Sequence, residues 1–157
     1  MRLRRLGLVA HIGVSVGWLG AAVASLAVAV TGLAAREPAL ARAAYLVLEP
    51  VGWWTLVPLG VASLVTGVVQ SLGTSWGLVR HYWVLFKLMM NLFAVGVLLL
   101  YMRTLGQLAA LARSGDAPRS PSPVVHAAAA IVLLLVALVL SVYKPRGRTP
   151  WETSVRR

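Results

Sequence analysis

Four long apolar stretches, separated by short polar connectors, dominate the pattern of this chain. Each stretch is long enough to cross a hydrocarbon core of about 30 Å, which needs roughly 20 helical residues. Backbone groups in lipid must form hydrogen bonds within their own segment, so the stretches are expected to be helices. The pattern predicts an all-α fold, a transmembrane four-helix bundle with short loops, which forms one integral membrane domain over residues 1–157. The predicted helices cover about residues 6–33, 51–72, 82–102 and 124–143.

Segments rich in Gly, Pro, Ser and charged residues connect the predicted helices. Between helices one and two, a short interfacial helix over residues 39–48 is one option. A tight turn over residues 73–77 joins helices two and three, and residues 113–123 form the longest loop. Within helix two, Pro58 is expected to produce a kink, because proline removes one backbone hydrogen bond and its ring clashes with the preceding turn.

The composition agrees with a membrane protein. Hydrophobic residues make up 59% of the chain and charged residues only 12%, against roughly 25% charged residues in typical soluble domains. A soluble protein with this composition would expose large apolar patches to water. Because the chain contains no cysteine, disulfides, thiolate metal sites and iron–sulfur clusters are excluded.

The net charge of +11 comes from basic residues at the chain ends and in the connectors. This placement indicates membrane topology and not a nucleic-acid-binding face, so no nucleic-acid partner is expected. Arg and Lys are more numerous on the side that carries both termini and Arg80 than on the side of Arg36 and Arg113. Because cytoplasmic loops carry the excess of basic residues, we expect a multi-pass protein of a bacterial plasma membrane with both termini in the cytoplasm.

Two histidines stand at positions that suggest a cofactor site. His11 belongs to a stripe of small and polar residues on helix one that also contains Trp18 and is expected to face the bundle interior. His81 begins helix three at the membrane face predicted for His11. Two imidazoles from different helices at one depth are the arrangement that axial haem ligation or a shared metal ion needs. The alternative is that His11 only hydrogen-bonds a neighbouring helix and that His81 lies among lipid headgroups.

Lys87 and Asn91 lie one turn apart and form the most polar position within any predicted helix. Polar groups at membrane depth are costly and are therefore candidates for function. Lys87 either binds an anionic group such as a haem propionate or extends to the cytoplasmic interface. The predicted cofactor-binding residues are His11, Trp18, His81, Lys87 and Asn91, and the predicted metal ligands are His11 and His81.

Three further groups of residues carry weaker signals. His126 begins helix four at the opposite face, where it either serves a second site with Glu49 or Tyr45 or lies at the interface. Met89 and Met90 either offer thioethers to Cu(I) or pack against neighbouring helices. Several glycines within the helices are typical of close helix packing and not of phosphate binding. These are Gly17, Gly20, Gly60 and Gly67.

Three stretches resemble a group of small bacterial integral membrane proteins of unknown function. They are HIGVSVGWLG at residues 11–20, GTSWGLVRHYWVLFKL at residues 73–88 and SVYKPRGRTP at residues 141–150. The chain is more distantly similar to the membrane domain of the copper-resistance protein CopD and to HemJ-type protoporphyrinogen oxidase, a four-helix protein that binds haem b. The likeness to HemJ-type protoporphyrinogen oxidase implies that His11 is an axial haem ligand and that Lys87 is the essential lysine of helix three. The other motifs of that family are not recognisable here, so porphyrinogen oxidation is not implied.

The sequence is consistent with three functions. The first is binding of haem b, or of a metal ion, through histidines near the cytoplasmic face, with a role in electron transfer or membrane redox chemistry. The second is permeation of copper or a small solute, and the third is a non-catalytic membrane scaffold or accessory subunit. All three place the chain in the lipid bilayer and leave open a homo-oligomer or a partner membrane subunit.

Overall fold

The chain folds as an all-α bundle, which confirms the predicted fold class. The computed structural model describes residues 2–73 and 81–143, with side chains from residue 5 onward. Four helical spans in this part of the chain are long and apolar enough to cross a membrane, as expected of a multi-pass membrane protein. The elements are α1 (Arg2–Ala34), α2 (Pro38–Val51), a π-helical segment (Gly52–Leu56), α3 (Val57–Leu72), α4 (Tyr82–Arg113) and α5 (Ser122–Tyr143).

Residues 39–48 are helical as expected, but this helix is not separate, because the second span is one continuous helical segment, Pro38–Leu72. Pro50 lies inside α2 without ending it. The helix changes its hydrogen bonding just before Pro58, where the Val57 N–H donates to the carbonyl of Gly52 five residues earlier. Such a π turn is wider than an α turn. It therefore makes room for the proline ring and lets the helix continue.

The third span is longer than its apolar stretch, because α4 ends at Arg113 and not near Met102. Buried residues continue along its second half at helical spacing, and they pack against a matching row on α2. Tyr45 and Met102 are the largest fully buried side chains of the described residues. The two rows are Met102, Leu105, Ala109 and Ala112 on α4, and Ala41, Ala44, Tyr45 and Leu48 on α2.

Each span packs against two neighbours, so the bundle has a square arrangement. The α1 helix contacts the α2–α3 span and α5, and α4 contacts the same two elements from the other side. Consecutive spans run in opposite directions, so α1 and α4 are parallel and lie diagonally across the bundle. The contact between α4 and α5 is the least extensive of the four neighbouring pairs.

Small residues permit the closest approach between α1 and α3. A Cβ atom at Gly60 would lie 2.9 Å from Cζ2 of Trp18, and one at Gly67 would lie 3.2 Å from Cε1 of His11. The prediction of close packing is confirmed for these two glycines. It was wrong for Gly20, where an added Cβ would meet nothing within 4 Å, and Gly17 is in ordinary contact with Leu59.

The loop between α4 and α5 is tied to the start of the second span. The Tyr45 hydroxyl donates to the carbonyl of Ser120 (3.1 Å) and accepts from its backbone N–H (2.9 Å). Arg42 donates to the carbonyl of Gly115 at 3.0 Å. These bonds hold the loop against the end of the bundle. The expected turn over residues 73–77 lies outside the described residues beyond Gly73.

Replacing Gly60 with alanine should destabilise the bundle, because the new methyl group overlaps the enclosed Trp18 ring. Trp18 is only 3% exposed and has little freedom to move. Overpacking of this kind lowers the free energy of unfolding by about 1–3 kcal/mol. Thermal unfolding in detergent checks the result, with Gly20→Ala as the matched control, which should leave the midpoint unchanged or raise it. Equal midpoints for the two variants would contradict the described contact.

Candidate functional site

Polar side chains from every span meet in one half of the bundle, on the side where α1 and α4 begin. We call this set the polar layer. Its members are hydrogen-bonded across helix boundaries in three sets, which are His11 with Thr66, Ser63 with Ser15 and Asn91, and Lys87 with Ser141. The polar layer consists of His11 and Ser15 on α1, Ser63 and Thr66 on α3, Lys87 and Asn91 on α4, and Ser141 on α5.

Ser63 is the centre of the polar layer. Its hydroxyl lies 2.9 Å from the Ser15 hydroxyl on α1 and 3.4 Å from Nδ2 of Asn91 on α4. Ser63 is itself 3% exposed. The three residues therefore mark one level across the bundle and connect the diagonal helices α1 and α4 through α3.

A hydrogen bond to Thr66 orients His11 and fixes the tautomer of its neutral ring. Its Nδ1 lies 2.9 Å from the Thr66 hydroxyl oxygen, and that hydroxyl donates to the carbonyl of Ala62 at 2.6 Å. A threonine hydroxyl has one proton, so towards His11 it acts as the acceptor. The neutral imidazole therefore carries its proton on Nδ1, and Nε2 has a free lone pair.

Lys87 connects α4 to α5 at the level of His11. Its ammonium group donates to the Ser141 hydroxyl, which in turn donates to the carbonyl of Ala137 at 2.8 Å. The ammonium nitrogen also lies 5.9 Å from the centre of the Trp83 ring, within cation–π range. The structure thus places His11 and Lys87 in the same half of the bundle, on helices that are not direct neighbours.

One polar atom of the layer is left unsatisfied. The Oδ1 atom of Asn91 is buried and has no hydrogen-bond partner among the described residues. A buried acceptor without a partner costs about 1–3 kcal/mol. The opposite amide nitrogen makes only the long bond to Ser63. Asn91 therefore presents a free acceptor inside the bundle, which is costly unless a ligand satisfies it.

The other predicted cofactor-binding residues lie on either side of the polar layer. His81 precedes α4 and is half-buried; at 1.5 Å per residue it lies roughly 9 Å from Lys87 along the helix axis. Its role as a ligand with His11 stays a prediction. Trp18 lies about one turn beyond Ser15 and is buried against Gly60.

The remaining sequence candidates do not join this site. His126 stacks on Tyr101 in the opposite half, with ring centroids 3.7 Å apart. Glu49, proposed as its partner, forms an ion pair with Arg113 at 2.7 Å. Met89 is 49% exposed on the outer surface of α4, whereas Met90 is half-buried, so the two thioethers do not share a direction.

Sequence reasoning missed Ser63 and Ser141, which complete the polar layer. Both carry little signal alone, because such residues in membrane helices commonly bond the carbonyl one turn earlier. The signal that exists is the four-residue spacing of Lys87 and Asn91, which repeats the spacing of His11 and Ser15.

Comparisons with known proteins add no relative. No family model, no curated protein and no solved structure matches the chain. The geometry of the polar layer therefore carries the functional argument.

Replacing Asn91 with leucine should stabilise the protein, because it removes an unsatisfied buried acceptor at little change in shape. The expected gain is up to about 1–3 kcal/mol in the free energy of unfolding, measured by thermal unfolding in detergent. Ser63→Ala should lower the free energy of unfolding, since it leaves both Ser15 and Asn91 without their interhelical partner. A loss of stability in Asn91→Leu would show that Asn91 serves the fold and not a ligand.

Proposed function

We propose that this chain is an integral membrane protein that binds haem b at the polar layer and acts in electron transfer or membrane redox chemistry. The observation that carries the proposal is the state of His11, a neutral imidazole whose Nε2 lone pair is free. Metal-ligating histidines almost always donate their other ring N–H to a fixed acceptor, which sets the tautomer and the ring orientation. The bond from Nδ1 to Thr66 has this form.

The donor set favours haem over a bare metal ion. Protein sites for zinc or copper ions need three or four side-chain ligands. The described residues contain no group of three or more His, Asp or Glu side chains that could hold a metal ion. A haem iron already has four porphyrin nitrogens, so one or two axial side chains are enough. His11 supplies one, and His81 is the proposed second.

Other members of the polar layer fit the remaining parts of a haem. Lys87 provides a positive charge for a propionate, and it is held near His11 by Ser141 and the Trp83 ring. Asn91 and Trp18 complete the proposed cofactor-binding set. When bound, haem would supply one-electron transfer within the membrane. The residues of the chain would hold it, orient it and balance the charge of its propionates.

The copper and solute-permeation hypothesis receives less support. Met89 is directed to the outer surface of α4, so Met89 and Met90 do not line one path with His11. The polar groups also bond one another across the bundle, and this favours a closed site over a continuous passage.

The first test is the absorption spectrum of the protein after expression with added haem. We expect the purified protein to show a reduced-minus-oxidised haem b spectrum in detergent. His11→Ala should abolish it, whereas the matched control His126→Ala should retain it, because His126 lies in the opposite half of the bundle. A colourless wild-type protein, or a spectrum that survives in His11→Ala, would end the haem proposal.

Thr66→Val tests the role of the Thr66 hydroxyl separately. Valine keeps the shape but leaves the His11 Nδ1–H without its acceptor, so haem affinity should fall by about 10–100-fold. Thr66→Ser should restore most of it. Haem titration with the reduction potential as a second readout checks the result, because a purely structural role would change stability without shifting the potential. Unchanged affinity and potential would contradict the orientation argument.

A further inference from the structure

A second site lies in the half of the bundle opposite the polar layer. A partly open cavity of about 140 Å³ lies between α1, α4 and α5, next to the junction of α2 and the π-helical segment. Its wall on α5 extends from Pro123 to Leu134, which corresponds to a length of roughly 16 Å. The cavity is therefore elongated along α5, a shape that suits an extended chain.

The cavity borders the lipid-facing surface of the bundle. Phe93 lines it and is 65% exposed on α4, and Ala129 lines it and is exposed on α5. These two helices have the least extensive contact of the neighbouring pairs. A molecule dissolved in the bilayer can therefore enter between α4 and α5 without crossing the loops.

The lining is almost entirely apolar and contains three polar side chains. Leu, Ala, Val and aromatic side chains form most of the wall, and no charged residue of the described chain is part of it. Because an ion in such surroundings would be strongly destabilised, the occupant is neutral. The polar side chains of the wall are Ser25, Tyr101 and His126.

Two of these side chains, His126 and Ser25, can only accept a hydrogen bond from a ligand. They therefore favour a ligand that carries a hydrogen-bond donor. Nδ1 of His126 lies 3.0 Å from the carbonyl of Ser122. A carbonyl only accepts, so Nδ1 carries the proton and Nε2 is an acceptor. The Ser25 hydroxyl donates to the carbonyl of Ala21 at 2.8 Å, so its oxygen also has only lone pairs left. Tyr101 stacks on His126 and fixes the imidazole plane.

The position of His126 matches the geometry of a lipid leaflet. It lies one turn from the start of α5, at Ser122, and the cavity extends from there towards the middle of the helix. A single-chain amphiphile in a membrane has its polar head near the surface and its tail towards the centre. The cavity thus has its acceptor group where such a head would lie and apolar walls where the tail would lie.

We propose that this cavity binds a neutral single-chain lipid alcohol, whose hydroxyl donates to Nε2 of His126 and whose tail lies between α4 and α5. The class includes long-chain and isoprenoid alcohols. The proposal does not depend on haem binding, because no polar-layer residue lines the cavity and Trp18 is the one member of the proposed haem-binding set in its wall.

The test uses a photoactivatable diazirine derivative of dodecanol on the full chain in lipid nanodiscs, with peptide mapping of the crosslinks. Crosslinks should concentrate on residues 93–105 and 123–134. Dodecanol should compete roughly 3–10-fold better than dodecyl methyl ether, which has the same chain but no O–H donor. Dodecanoate, which is charged, should compete more weakly than dodecanol. Equal competition by the alcohol and the ether, or crosslinks spread evenly over all outer helix faces, would overturn the proposal.

Variants of the protein then test the binding of the tail and the recognition of the hydroxyl head group separately. Ala130→Phe fills the cavity and should reduce the crosslinks at least severalfold, whereas Ala24→Phe, on the exposed face of α1, should not. His126→Phe keeps a ring on Tyr101 and should retain the crosslinks while removing the preference for the alcohol. Undiminished crosslinking in Ala130→Phe, or an undiminished preference in His126→Phe, would overturn the proposal. The competition experiment uses the wild-type protein, so its outcome does not depend on whether any variant folds.

Discussion

The bundle depends on hydrogen bonds between helices, made where the bilayer offers no alternative partner. Apolar side chains gain little by leaving lipid for one another, so membrane helices associate through close packing and interhelical polar contacts. The polar layer supplies such contacts from α1 to α3 and from α4 to α5, whereas the bond of Asn91 from α4 to α3 is long at 3.4 Å and adds little. Gly60 and Gly67 supply the close approach that brings His11 and Trp18 against α3. The hydrogen bond of His11 and the close packing at Gly60 and Gly67 both join α1 to α3. Together they fix the position of α1 along α3.

The number of spans and the inward face of α1 could be predicted because they depend on local pattern. Hydropathy over about 20 residues identifies a span regardless of its neighbours. The stripe that continues from His11 is confirmed as interior, since Trp18, Ala22, Ser25 and Ala29 are all buried. A polar or small residue at helical spacing has few other places to lie in a membrane helix. The resemblance to known membrane families and the role of His81 remain predictions.

The helix ends and the polar layer could not be predicted, because they depend on contacts between distant segments. The second half of α4 contains Arg103 and Gln107 and has no continuous apolar run, yet its buried face is complementary to α2. The helix continues through Pro50, which lies inside α2, and the π-helical segment that precedes Pro58 makes room for that second proline. Serine and threonine gain their role only when a second helix places a donor beside them. Of the proposed site, sequence identified His11, Lys87 and Asn91 but not the groups that orient them.

Two histidines of the chain share one chemical state in two different surroundings. His11 and His126 each donate Nδ1–H to a fixed oxygen and retain a lone pair on Nε2. The polar layer that contains His11 also contains the Lys87 ammonium group and the unsatisfied amide oxygen of Asn91, which suit an anionic, metal-centred ligand. Around His126 the wall is apolar and uncharged, which suits a neutral donor. The cavity begins about one turn beyond the polar layer, at Trp18 and Ala94. A lipid tail that fills it would remove space next to the proposed haem site and exclude water from it. Occupancy of the cavity would therefore change the polarity of the haem site, and Trp18 borders both.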